Sequence, residues 1–132
     1  MTNGMILKRI MYVDDDPDLQ NLVRLGLETR GGFTVKICDS GKQAIEEIKD
    51  FQPDLVILDV VMPGMSGPKT LEALQNIPGI PPVPTIFLTS KTRRQEMDLY
   101  KRLGAIGVID KPLNPMKLAE QLKEIWERSS GS

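Results

Sequence analysis

The chain has 132 residues, 40% hydrophobic and 27% charged, with a formal net charge of -1 and a pI near 5.5. These values fit one compact domain and offer no basic surface for a phosphate backbone, so no direct nucleic-acid partner is expected. Histidine is absent, which excludes Ser-His-Asp and Cys-His catalysis and ordinary His-ligated zinc or iron, and leaves carboxylate, hydroxyl, lysine or a hard metal ion for any chemistry.

Short apolar runs alternate with helical patterns along the chain, five of each. The first run is Arg9 to Val13, nearly continuous in apolar residues as in a strand buried on both faces. Asp16-Pro17 then supplies an N-cap and first-turn proline, and Leu19, Leu22, Val23 and Leu27 form one stripe before Gly31-Gly32. Thr34 to Cys38 is the second run, followed by a stripe of Ala44, Ile45 and Ile48. Its Cys38 is the lone cysteine, reads as core and cannot form an internal disulfide.

The third run, Leu55 to Asp59, ends on a single carboxylate, and Leu71 and Leu74 mark the helix after it. "IPGIPPVP", Ile77 to Pro84, reads as a rigid connector to a fourth run, Thr85 to Leu88, with Met97, Tyr100 and Leu103 on the next helix. The fifth run is Gly107 to Ile109, and Leu118, Ala119, Leu122, Ile125 and Trp126 recur at helical spacing after it. The expectation is a single domain over 1–132, with a core of about 8–127 and a flexible tail at 128–132. No run is long enough to span a membrane, and the amino-terminal stretch lacks an export pattern, so a reducing cytoplasm and no membrane are expected.

A (βα)5 alternation predicts an α/β fold, a doubly wound five-stranded parallel sheet with helices on both faces and right-handed crossovers. In such folds the site lies at the carboxyl ends of the strands. With the order 2-1-3-4-5, Asp14, Asp15 and Asp59 converge at one edge, with Thr89 and Lys111 ending the fourth and fifth strands. Three carboxylates repel one another. Lys111 can pair with one, and a cation bound only by oxygen, Mg2+ or Mn2+ rather than zinc, can compensate the others and leave room for a phosphoryl oxygen.

Four elements then carry a family resemblance: "VDDD", "LDVVMPGMSG", "LTS" and "DKP", each at a strand's carboxyl end and in this order. From Lys8 to about Trp126 the chain resembles the response-regulator receiver domain, the CheY-like phosphoacceptor module of two-component signalling. The resemblance implies that Asp59 is the phosphoacceptor. It further implies that Asp14 and Asp15 hold Mg2+ with Asp59 and the Val61 backbone carbonyl, that Lys111 contacts Asp59 and then the phosphoryl group through a cis Lys-Pro bond, and that the Thr89 hydroxyl moves toward that group. The donor would be a phosphohistidine on a sensor histidine kinase or a histidine phosphotransfer protein. Such a protein is a phosphoacceptor with self-catalysed transfer and dephosphorylation, not a turnover enzyme.

The chain departs from the family at Val108, where an aromatic usually turns inward on activation, and at Val61, whose apolar side chain cannot orient a hydrolytic water and so suggests slow self-dephosphorylation. With no DNA-binding or enzymatic segment after the fifth helix, a protein contact is the expected output, whether the receiver stands alone or belongs to a larger protein. By resemblance its surface is the face of the fourth helix, fifth strand and fifth helix, with Arg93, Arg94, Tyr100, Lys101 and Lys117.

Blander roles compete for several of these residues. Asp16 and Asp18 read as helix-end acids, Asp14 alone as a cap, and Met62 to Met65 as a turn whose exposed methionines can also meet a partner. A Mg-dependent hydrolase would want a second acid at position 61, and a nucleotide- or flavin-binding module would want a glycine-rich loop where "DDDPD" stands. The rival that survives is a phosphorylation-independent pseudo-receiver scaffold.

Overall fold

The computed structural model describes residues 6–130. Five strands, β1 (Arg9–Val13), β2 (Thr34–Cys38), β3 (Leu55–Asp59), β4 (Thr85–Thr89) and β5 (Gly107–Asp110), form one parallel sheet in the order β2-β1-β3-β4-β5. Between them run α1 (Pro17–Arg24), α2 (Gly41–Phe51), α3 (Gly67–Gln75) and α4 (Arg94–Arg102), and α5 (Leu118–Ser130) closes the chain. The predicted fold class and strand order are those observed.

Side-chain alternation splits the interior into two layers. Ile10, Tyr12, Leu55, Ile57, Ile86 and Leu88 pack against Val23, Leu27, Leu118, Leu122 and Ile125, while Met11, Val13, Val56, Leu58 and Phe87 pack against Ala44, Ile48, Leu71, Leu74 and Tyr100. Thus α1 and α5 cover one face, and α2, α3 and α4 the other. Every residue of β3 and β4 is buried, whereas the edge strands β2 and β5 are only partly covered. Unbroken apolar runs at "LVIL" and "IFL" follow from that double coverage.

Helix ends follow local chemistry. The Asp16 side chain accepts from the Asp18 and Leu19 amides ahead of Pro17, and the Ser40 and Ser66 hydroxyls accept from Gln43 and Lys69. The blander role for Asp16, a cap, is therefore the one seen. After Arg24 the helix widens into a π-helical segment, Leu25–Arg30, that ends at Gly31 and a left-handed Gly32 (φ 73°).

Two expectations are corrected. Leu22, expected on the buried stripe, is 37% exposed. The line that faces the sheet is Leu19, Val23 and Leu27, and Leu22 is turned about 100° from Val23. Met97 is likewise 38% exposed, because Tyr100 fills the space beneath α4. The expected tail from 128 is helical as far as Ser130, and Gly131 and Ser132 lie outside the described residues. Among the described residues no helix is long and apolar enough to cross a membrane.

Candidate functional site

Four neighbouring strands end together at the carboxyl edge. The register sets Val13 of β1 opposite Leu58 of β3, so Asp14 and Asp59, each the next residue along, emerge side by side. β4 then brings Thr89 beyond Leu88, the partner of Asp59, and β5 pairs Asp110 with Thr89 just before Lys111. Asp14 and Asp59 are buried (0% and 4% exposed), and Asp15 faces solvent. One carboxylate oxygen from each of the three lies within 4.8 Å of the others.

Lys111 reaches across from β5 and donates to Asp59 Oδ1 at 2.9 Å, so it is no solvated surface charge. The Lys111-Pro112 bond is cis. Burial raises the Asp59 pKa above the ordinary carboxylate value; the lysine opposes this, and the negative charges of Asp14 and Asp15 add to it. One lysine against three acids leaves excess negative charge in a half-enclosed site. All the donors are hard oxygens, a set that suits a divalent cation of the Mg2+ type.

Asp14 is held on every side. Its amide donates to Cys38 O at 3.0 Å, its carbonyl accepts from Gln20 Nε2 at 2.6 Å, and its Oδ1 accepts from the Asp16 amide at 3.0 Å. The Tyr12 hydroxyl donates to its Oδ2. Burial drives the Tyr12 pKa far upward, and the bond to Asp14 and the surrounding acids push the same way, so Tyr12 remains a donor. Neither Tyr12 nor Gln20 stands out in the sequence. Tyr12 looks like one more core residue, and only its polar tip within an otherwise apolar strand hints at a partner.

Gly67 is a further residue that residue-type reasoning passes over. A Cβ there would sit 2.4 Å from the Asp59 carbonyl and 2.9 Å from Val60 Cα, while its amide donates to Val60 O at 2.9 Å. The glycine lets α3 begin against the backbone that carries Asp59. Val61, two residues beyond Asp59, is 62% exposed. Met62, expected at the surface, is buried with Val60, Leu71 and Leu74, and Met65 is half-buried. The loop after β3 folds back over the second core layer.

Thr89 is buried, and its Oγ1 accepts from the Lys91 amide at 2.9 Å. Lys91 in turn offers its carbonyl to the Tyr100 hydroxyl at 3.0 Å, and the Tyr100 ring packs on Phe87 with centroids 5.0 Å apart. Tyr100 is 3% exposed, which corrects its place among the surface candidates; Arg93, Arg94, Lys101 and Lys117 are exposed. Val108 is half-buried beside this second layer.

The sequence profile of the response regulator receiver domain matches residues 10–123. The chain belongs to this family. The receiver is 34% identical over 122 residues to the DNA-binding response regulator MtrA of Mycolicibacterium smegmatis, and 35% identical over 126 residues to the transcriptional regulatory protein CpxR of Escherichia coli. These matches cover 92% and 96% of the receiver but 52% of each relative, so the chain spans about half their length.

The chemotaxis protein CheY4 of Vibrio cholerae superposes with a TM-score of 0.82 at 27% identity, covering 91% of the receiver and 99% of CheY4. A CheY-like receiver protein of Methanospirillum hungatei gives 0.78 at 28% identity, covering 96% and 98%. The receiver is thus a signalling module of two-component systems, of a family that interacts with sensor kinases and binds Mg2+ through acidic residues. The expectation that no nucleic acid is involved finds no support. A name such as MtrA's carries DNA binding, and the charge balance of this chain speaks only for the half of that protein it matches.

Proposed function

We propose that the receiver takes a phosphoryl group onto Asp59 from a phosphohistidine on a sensor kinase or histidine phosphotransfer protein, in the cytoplasm. The observation that carries this is Asp59 itself: buried, a member of a three-acid cluster, and held by Lys111 at 2.9 Å. An Asp59 oxygen attacks phosphorus in line, the new O–P bond forms as the P–N bond to the partner's imidazole breaks, and the imidazole leaves with the electron pair. Lys111 holds Asp59 in place before transfer and then shares a phosphoryl oxygen, countering the developing charge.

Asp14, Asp15, Asp59 and the Val61 carbonyl would hold Mg2+ or Mn2+, which when bound supplies charge neutralisation at the phosphoryl oxygens. The Thr89 hydroxyl donates to a phosphoryl oxygen. Its Oγ1 already accepts from Lys91, whose carbonyl accepts from Tyr100, so movement of Thr89 carries the start of the loop before α4 with it. A route from the site to α4 therefore exists without an aromatic at position 108. Output passes through the surface of α4, β5 and α5, with Arg93, Arg94, Lys101 and Lys117 as contacts. Val61 provides no hydrogen bond for an attacking water, and self-dephosphorylation is slow.

Intact mass after incubation with acetyl phosphate, with and without Mg2+, tests this on the wild type and Asp59→Asn. The expected result is a metal-dependent gain of about 80 Da, one phosphoryl group, that the variant lacks. No gain, under conditions that label a control receiver, would overturn the assignment in favour of a phosphorylation-independent scaffold.

A further inference from the structure

Tyr12 lies in β1 two residues before Asp14 and is wholly buried, its ring in the core layer with Ile10, Leu27, Ile57 and Leu88. A hydroxyl in such a layer needs a partner. It finds one at Asp14 Oδ2, while the Asp16 amide occupies Oδ1 at 3.0 Å. The two donors come from different parts of the chain, one from within the sheet and one from the turn that starts α1. Together they fix the carboxylate plane, whereas either alone would leave the group free to swing about the other contact. Among the described residues no buried side-chain nitrogen or oxygen lacks a partner, so Asp14 has no loose polar group nearby to turn toward.

Asp15 is exposed and Asp59 already engages Lys111. Asp14 is therefore the acid with both carboxylate oxygens engaged by protein donors that are not members of the cluster. We propose that Tyr12 is a positioning residue for the cation site: its hydroxyl holds the Asp14 carboxylate toward Asp15 and Asp59, so the affinity for Mg2+ depends on a side chain that never touches the cation. Resting on the cation site proposed above, the inference adds a supporting shell to it. Such outer partners orient first ligands in metal sites generally.

Mg2+ titrated calorimetrically into the unphosphorylated receiver tests this on the wild type, Tyr12→Phe, Asp14→Asn and the double variant, with the urea midpoint of each measured without Mg2+. Phenylalanine keeps the ring and removes only the donor. Affinity should fall about tenfold in Tyr12→Phe. In the Asp14→Asn background the same change should cost nothing further, because the hydroxyl acts through that carboxylate.

Wild-type affinity in Tyr12→Phe would overturn the inference even if the urea midpoint dropped, since a purely structural hydroxyl predicts that pattern. Losses that simply add in the double variant would overturn it as well. Should Tyr12→Phe fail to fold, Tyr12→Met fills the space without a donor and takes its place in the titration. A wild type that binds no Mg2+ would overturn the cation site and this inference together, while the mass measurement still decides the role of Asp59.

Discussion

At the amino end of the sheet the Asp54 carboxylate accepts from the Lys8 and Arg9 amides at 2.9 and 2.8 Å, and the Arg9 guanidinium bonds the Phe51 carbonyl twice while lying 4.2 Å above the Phe51 ring. At the carboxyl end of the same strands three acids share one lysine. The amino end also carries a cavity of about 380 Å3, lined by Ile48, Gln52, Pro53, Ile80, Pro82 and Pro84. At the amino end the charged groups are satisfied by backbone partners, whereas unbalanced charge at buried oxygens prepares the carboxyl end for a ligand.

Substitutions at the two ends should therefore separate activity from stability. The largest effect is expected from Lys111→Met, which removes the cation bonded to Asp59. Labelling by acetyl phosphate should slow on the order of a hundredfold, followed by intact mass against time, and an unchanged rate would break the contrast. Asp54→Ala should do the reverse, costing about 2 kcal/mol in urea unfolding because two strand-end amides lose their acceptor, with labelling unchanged. A labelling defect there would show that both ends serve the chemistry.

Tyr100→Phe is expected to cost about 1 kcal/mol through the lost bond to Lys91. The sharper readout is the amide resonances of the loop before α4, which should respond less to phosphorylation than in the wild type. An identical response would remove Tyr100 from the route. The smallest effect is expected from Asp59→Asn on stability, and its sign is informative. Because the folded-state pKa of Asp59 is raised, its contribution is fully present below the unfolded value, about 4, and is lost as pH rises through the folded value. The asparagine variant should then have the higher urea midpoint at pH 7, with the gain fading toward acid. A lower midpoint at pH 7 would mean that the bond to Lys111 outweighs burial.

The sequence showed the sheet and its acids clearly, for identifiable reasons. Strands covered on both faces leave unbroken apolar runs, and a strand's end is where a lone acid such as Asp59 becomes conspicuous. What stayed hidden depends on direction rather than residue type. Nothing in "RIMYV" tells which way the Tyr12 hydroxyl leans. Tyr100 has a polar tip that suits a surface, yet its ring is covered by Phe87, and Met62 stands in a turn yet is buried. Leu22 failed at the margin of a stripe, where one residue's rotation separates core from solvent. Gly67 is legible only once the Asp59 carbonyl is known to pass beside it.

Cys38, the lone thiol, ends the edge strand β2 with no solvent exposure, and burial pushes its pKa up to about 12. Its carbonyl also receives the Asp14 amide, so the strand that hides the sulfur is tied directly to the acid site. A thiol-alkylating reagent at neutral pH therefore meets almost no reactive sulfur until β2 peels from β1. The rate of alkylation is then a clock for local opening at that edge, started by the native chain's own cysteine and read without any added label.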